Sequence, residues 1–183
     1  MTLGARSTLS DVARVVGGAL RDAKFQAVLV GGACATIYSR GEYQSLDLDF
    51  ILETGVTRKS LDAAMAGAGF RRSGDRYVHP KTKFFVEFPR GPLSIGRDTA
   101  IRTVMLRVGA SRIRALSATD SCRDRLAAFY FWNDLSSLGS ALAIARRQKV
   151  NLHVIRGWSR EEGHGEKFER FRRLLEAARR NPV

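Results

Sequence analysis

The sequence has few of the residues that build disulfide frameworks or thiolate and imidazole metal sites. Only two of its 183 residues are cysteines, and Cys34 and Cys122 show neither a CxxC pattern nor another metal-ligand spacing. The three histidines, His79, His153 and His164, form no HExxH motif. The composition therefore argues against a zinc site and favours a reduced, intracellular protein.

Long apolar segments are lacking as well. No run approaches the ~20 residues that cross a bilayer, and the first residues lack the hydrophobic region of a secretory signal. No internal repeat or low-complexity linker is present. We therefore expect a cytoplasmic protein with no membrane partner, folded as one domain or as a domain with a helical appendage.

Acidic residues are scarce relative to basic ones. The chain has 31 Lys and Arg against 18 Asp and Glu, which gives a formal net charge of +13. Such an excess favours a polyanionic partner, namely RNA, DNA, a nucleotide or an acidic protein, although a merely solvated positive face is the alternative. Basic residues that could line a nucleic-acid groove crowd the predicted sheet region: Arg71, Arg72, Arg76, Lys81, Lys83, Arg90, Arg97, Arg102, Arg107, Arg112 and Arg114.

Hydrophobic periodicity predicts short strands alternating with helices up to about residue 118, and helices after it. Helices are predicted over 8–22, 31–38 and 57–68, and strands over 25–30, 46–52, 70–79, 81–88, 103–108 and 112–116. Towards the C-terminus, Ser159 and Glu162 have the spacing of a capping box and predict the start of the last helix. The pattern indicates an α+β fold, with a small mixed sheet flanked by helices and a C-terminal helical part.

The segment VLVGGACATIYSRGEYQSLDLDF, residues 28–50, places two aspartates inside a predicted strand. Asp47 and Asp49 would lie on one face with Cβ atoms ~6–7 Å apart, while Leu48 and Phe50 would point to the other. Two such carboxylates repel each other unless a cation lies between them. Because Mg²⁺ prefers carboxylate oxygens, the pair predicts a metal site, and acidic residues on a solvated edge strand are the alternative.

Two glycines precede these aspartates, at the junction of a predicted strand and helix. Gly31 and Gly32 would leave backbone N–H groups open to an anion, with no Cβ atom in the way. Nucleotide phosphates bridged by Mg²⁺ to the aspartates would suit this place.

Together these residues resemble the signature of the DNA polymerase β-like nucleotidyltransferase superfamily, hG[GS] followed by hDh[DE]h, where h is apolar. The resemblance is tight over 28–50 and extends by element order over about 25–90. It implies a third carboxylate on a neighbouring strand, for which KFFVEF offers Glu87. Asp47, Asp49 and Glu87 would then be catalytic residues and ligands of Mg²⁺ or Mn²⁺, with an NTP as substrate and two ions in the scheme.

Within the superfamily, the chain resembles small stand-alone bacterial members of abortive-infection and toxin–antitoxin systems. The resemblance implies that Ser45, two positions before the first aspartate, contacts the nucleotide together with the glycines. It also implies that Asp124 and Arg125, on the helix after the sheet, face the site. Tyr43 stands where these proteins commonly have an arginine, and Arg40 is the nearest basic residue.

The expected function is transfer of NMP from an NTP to an acceptor hydroxyl of RNA, tRNA or a protein, with an antitoxin as a possible partner. Residues 1–118 would form the nucleotidyltransferase core, and residues 119–183 a helical part packed on it. A nuclease of the D…ExK type is disfavoured because Pro89 occupies the position of the lysine. The remaining alternative is a non-catalytic nucleotide- or RNA-binding module on the same fold.

Overall fold

Strands and helices alternate along most of the chain in the computed structural model, which describes residues 2–53 and 55–180. In these residues the strands form one seven-stranded sheet: β1 Ala27–Val30, β2 Asp47–Leu52, β3 Arg71–Ser73, β4 Arg76–Val78, β5 Phe85–Glu87, β6 Thr103–Val108 and β7 Ser111–Leu116. The helices are α1 Leu9–Asp22, α2 Gly31–Tyr38, α3 Arg58–Gly67, α4 Ala118–Trp132, α5 Leu135–Arg147, α6 Leu152–Glu161 and α7 Gly165–Arg180.

The sheet is mixed, with the strand order β3-β4-β5-β2-β1-β7-β6. Strand β2 is central and pairs antiparallel with β1 and parallel with β5, and β1 pairs parallel with β7 on its other side. Val30 at the end of β1 lies opposite Asp49, and Asp49 lies beside Glu87 of β5. The topology therefore brings residues from distant parts of the chain to one place on the sheet.

The first three helices begin within one residue of the predicted positions 8, 31 and 57. Thr8 caps α1 through a capping box with Asp11, Thr57 caps α3, and α2 starts directly after Val30. The apolar stripe of α1 is buried, α1 contacts β1, β6, β7 and α3, and α2 contacts β2, α4 and α5. The side chains of Leu48 and Phe50 in β2 are fully buried in the core.

The predicted single strand over 70–79 is wrong in one respect, because it is itself a hairpin. The antiparallel strands β3 and β4 turn at Gly74 and Asp75, and β4 then pairs antiparallel with β5. This places Arg76 directly opposite Glu87. The hairpin adds two strands to one edge of the sheet.

The first of the C-terminal helices, α4, follows β7 directly, and Ser117 is its N-cap. The prediction that Ser159 begins the last helix is wrong: it is buried inside α6, and its Oγ lies 2.8 Å from the Tyr130 hydroxyl. The last helix, α7, begins at Gly165, and Lys167 in its first turn donates to the carbonyls of Phe129 and Tyr130 at 3.2 and 2.6 Å. No helix among the described residues combines the length and hydropathy needed to span a bilayer.

The loop between β5 and β6 is fastened to these helices by a buried guanidinium. Arg123 of α4 donates to Asp98 at 2.5 Å and to Asp120 at 2.9 Å. The indole N–H of Trp158 in α6 donates to the carbonyl of Ile95 at 3.2 Å. These contacts connect residues 95–98 to two helices of the C-terminal part.

Candidate metal and nucleotide site

Three carboxylates meet on one face of the sheet. Asp47 and Asp49 alternate along β2, and Glu87 on the parallel strand β5 lies in register with Asp49. One carboxylate oxygen from each residue lies within 4.8 Å of the other two, and all three residues are half-buried. The structure thus brings together the three residues that the sequence pointed to, and a set of three carboxylates suits a hard divalent cation.

The electrostatics of this cluster favour a cation. Burial raises the pKa of Asp49 to about 7, and the negative charges of Asp47 and Glu87 add to the shift, while Arg125 opposes it and Asp124 adds to it slightly. Asp49 therefore holds a proton for part of the time at neutral pH when no metal is bound. A bound divalent cation would favour the ionised carboxylate against both its burial and the repulsion from Asp47 and Glu87, so the residues fit the metal that the resemblance implies.

The two glycines lie directly against the acidic and hydroxyl side chains. Gly31 has φ +67°, in the left-handed region, and a Cβ atom there would overlap the Asp49 carboxylate. A Cβ atom on Gly32 would lie 2.5 Å from the Ser45 Oγ and 3.5 Å from the Tyr43 hydroxyl. The glycines therefore allow Asp49 and Ser45 to approach the start of α2, a packing reason that the sequence interpretation did not include.

Ser45 connects helix α2 to the first aspartate. Its buried hydroxyl donates to the Asp47 carboxylate, and its backbone N–H donates to the Thr36 Oγ1 at 3.0 Å. The Thr36 hydroxyl in turn donates to the carbonyl of Gly32 at 3.0 Å. Ser45 is thus placed to orient Asp47, and Thr36 is a supporting residue that sequence reasoning missed because its role depends on a tertiary contact.

Asp124 and Arg125 form an ion pair on α4 at the side of this cluster. The Arg125 guanidinium donates to one Asp124 oxygen from Nε at 3.0 Å and from Nη2 at 2.7 Å. Burial works against the charge of Arg125, but Asp124, with smaller contributions from Tyr43 and Asp49, outweighs it and raises the pKa of Arg125. The positively charged guanidinium of Arg125 is thereby held near Asp49 and Tyr43.

Arg76 is a second residue that the sequence interpretation did not single out for the site. In the antiparallel register of β4 and β5 it lies opposite Glu87, and its guanidinium carbon lies 4.8 Å from the centre of the Phe85 ring. Recognition of the turn at Gly74 would have revealed this register, because the turn fixes which residues of the hairpin face Glu87.

Comparison with known proteins bears on the fold. No protein-family model and no curated protein sequence matches the chain. The crystal structure of an antigenic nucleotidyltransferase-like protein from Paracoccidioides brasiliensis superimposes with a TM-score of 0.58, covering 98% of this chain and 91% of that chain at 14% sequence identity. The fold is nucleotidyltransferase-like. This confirms the predicted α+β architecture, and at such low identity it establishes the fold alone.

Proposed function

We propose that the protein is a metal-dependent nucleotidyltransferase that moves NMP from an NTP to an acceptor hydroxyl and releases pyrophosphate. The observation that carries the proposal is the meeting of Asp47, Asp49 and Glu87 within 4.8 Å on one sheet face. A nucleotidyltransferase-like fold holds these carboxylates, and the glycine-rich start of α2 lies against them. Each feature alone also occurs in proteins with different functions, and their coincidence at one place supports this chemistry.

The three carboxylates would hold Mg²⁺ or Mn²⁺. When bound, such ions stabilise the charge on the attacking and leaving oxygens of an in-line displacement. Ser45 would keep Asp47 oriented through its hydrogen bond. Glu87 would accept the proton of the acceptor hydroxyl. The oxygen of that hydroxyl would bond to the α-phosphorus of the NTP while the bond from this phosphorus to the pyrophosphate oxygen breaks.

The start of α2 and the face of α4 would bind the nucleotide. Among the described residues no side chain caps the N-terminus of α2, and the N–H groups of Gly31 and Gly32, which are buried beside Asp49 and Ser45, would bind phosphate oxygens. Arg125 would place its positive charge near the same phosphates, with Asp124 holding its guanidinium in position. In this proposal residues 1–118 supply the carboxylates, and residues 119–183 pack beside them and contribute Arg125.

RNA, including tRNA, is the proposed acceptor, and a protein hydroxyl is the alternative. The net charge of +13 favours a polyanion over a small uncharged acceptor. The resemblance of residues 28–50 further supports a role as a component of a toxin–antitoxin system, in which an antitoxin would be a partner.

The test uses NTPs labelled on the α-phosphate, with Mg²⁺, total RNA and cell lysate. Label should appear on RNA or protein with the wild type and with the control Asp22→Ala/Glu176→Ala, which removes two acidic residues elsewhere. It should be absent with Asp47→Ala/Asp49→Ala. Equal labelling by that variant would refute the proposal, and RNA shortening without NTP would favour a nuclease.

The second candidate is a non-catalytic nucleotide- or RNA-binding module. Tyr43 favours it, because a tyrosine stands where related proteins commonly have an arginine, and its hydroxyl lies near Gly32. Mg²⁺-dependent NTP binding without any transfer of label would support this candidate over the enzyme.

A further inference from the structure

A cleft of about 460 Å³ lies between the N-terminus of α1, the C-terminus of α2 and the start of β5. Its charged lining consists of Arg6, Arg40 and Lys83, and its other polar lining includes the hydroxyls of Ser7 and Ser10. None of the described residues that line it is an aspartate or a glutamate. Cations and hydroxyl donors without carboxylates make a surface suited to phosphate oxygens.

The three cations of this cleft are uncompensated. Within residues 2–53 and 55–180, no carboxylate oxygen lies within 4.0 Å of a side-chain nitrogen of Arg6, Arg40 or Lys83. The larger cleft of about 720 Å³ beside Glu87 differs, because Asp75 also lines it. The smaller cleft therefore carries the stronger local positive charge.

Arg40 occupies a backbone position that disfavours a large side chain. It follows Ser39, the C-cap of α2, with φ +56°, in the left-handed region where glycine is the usual residue. The next residue, Gly41, also has a positive φ of +85°. Lys24 takes a similar conformation after α1, so the strain matters at Arg40 because this side chain also lines the cleft.

The cleft adjoins the three carboxylates. Ser45 lines it and donates its hydroxyl to Asp47. The backbone N–H of Phe85, at the start of β5, donates to the carbonyl of Leu46 at 3.1 Å. Lys83, two residues before Phe85, therefore lies close to the first residue of β2. A chain bound in the cleft would therefore pass Ser45 before it reaches Asp47 and its neighbours.

We propose that the cleft binds the sugar–phosphate backbone of single-stranded RNA near its 3′ end and directs the terminal hydroxyl to the carboxylates. This proposal rests on the proposed nucleotidyltransferase function and names the part of the surface that holds its acceptor. The cations neutralise phosphates, and the hydroxyls of Ser7 and Ser10 hydrogen-bond phosphate oxygens and ribose 2′-hydroxyls.

The first test measures binding of a fluorescein-labelled single-stranded RNA by anisotropy between about 50 and 200 mM salt. The variant Arg6→Gln/Arg40→Gln/Lys83→Gln should reduce the slope of log K against log salt by about 2, since each contact with a single strand contributes about 0.7. The control removes three exposed cations elsewhere and should keep the wild-type slope: Lys149→Gln/Arg173→Gln/Arg180→Gln.

An unchanged slope in the cleft variant, or an equal decrease in the control, would overturn the proposal. An equal loss of affinity for duplex DNA would overturn the assignment to an RNA acceptor. Mg²⁺-dependent NTP binding should stay at the wild-type level in both variants. RNA binding is measured without any transfer reaction, so failure of the cleft and failure of the nucleotidyltransferase proposal give different results.

A second variant separates loss of binding from loss of folding. Arg40→Gly removes one cation and also relieves the left-handed strain. Its melting temperature should equal or exceed that of the wild type, while its affinity for the RNA falls severalfold. Wild-type RNA affinity in this stable variant would contradict the proposed role of Arg40.

Discussion

The Asp49 carboxylate should make the stability of the metal-free protein depend on pH. Burial, with help from Asp47 and Glu87, raises the pKa of Asp49 to about 7 in the folded state. In the unfolded chain an aspartate loses its proton near pH ~3.9. Between these two values the folded state binds a proton that the unfolded state lacks, so the free energy of unfolding falls as the pH rises and the loss is complete above about pH 7.

The size of this loss follows from the pKa difference. About three pKa units at about 1.36 kcal/mol each give an upper value of about 4 kcal/mol. Asp49→Asn removes the ionisable group, so at pH 8 it should be more stable than the wild type by about 2–4 kcal/mol. For a chain of this length that corresponds to a rise in melting temperature of roughly 5–15 °C. At about pH 4 the two proteins should differ little.

The assay is urea unfolding from about pH 4 to pH 8 in the presence of a chelator, with tryptophan fluorescence as the readout. Asp22→Asn, at an exposed position, serves as the control and should follow the wild-type pH profile. Added Mg²⁺ should stabilise the wild type at pH 8 but not Asp49→Asn, and its effect on the wild type should fade as the pH falls. Parallel pH profiles for the wild type and Asp49→Asn would refute the reasoning.

Two further changes test the packing around the site and the helices. Gly32→Ala should lower the free energy of unfolding by about 1–3 kcal/mol, because the new Cβ atom meets the Ser45 Oγ at 2.5 Å. Adding Ser45→Gly should recover part of that loss in a double-mutant cycle measured by urea unfolding, and strict additivity would contradict the contact. Arg123→Met should cost about 3 kcal/mol by leaving Asp98 and Asp120 without their partner. Because hydrogen bonding to Arg123 lowers the pKa of Asp98, this cost should shrink in strong acid, where the carboxylates are protonated, and a cost independent of pH would argue against the ion pairs.

Elements whose signals are local could be predicted from the sequence. Periodicity places the starts of α1, α2 and α3 within one residue of the observed ones, where the structure has the capping box of Thr8 and Asp11, the two glycines after Val30 and the cap at Thr57. The alternation in β2 likewise fixes which side chains enter the core. These signals hold because the groups that satisfy one another are neighbours in the chain.

The prediction failed where tertiary contacts decide the structure. Ser159 has capping-box spacing with Glu162, but its hydroxyl donates to the carbonyl of Ile155 at 2.7 Å, one turn earlier in α6. The Glu162 carboxylate instead accepts from the backbone N–H of Arg97 at 2.8 Å. The hairpin of β3 and β4 was missed because β3 is exposed along its whole length and shows no buried alternation. The spacing of residues in the sequence shows neither the hydrogen-bond partners of Ser159 and Glu162 nor the pairing of β3 with β4.

Two departures from local rules concern the proposed site and the cleft beside it, while Lys24 and Asn133 take left-handed conformations elsewhere. Asp49 is half-buried where a neutral side chain would be more stable, and Arg40 takes a backbone conformation that suits glycine. A chain shaped for stability alone would keep neither residue, and natural proteins retain such costs mainly at sites of binding or chemistry. The double variant Asp49→Asn/Arg40→Gly should therefore be more stable than the wild type at pH 8, yet it should neither bind RNA with wild-type affinity nor transfer a nucleotide. A double variant that is less stable than the wild type would show that these two residues serve the fold.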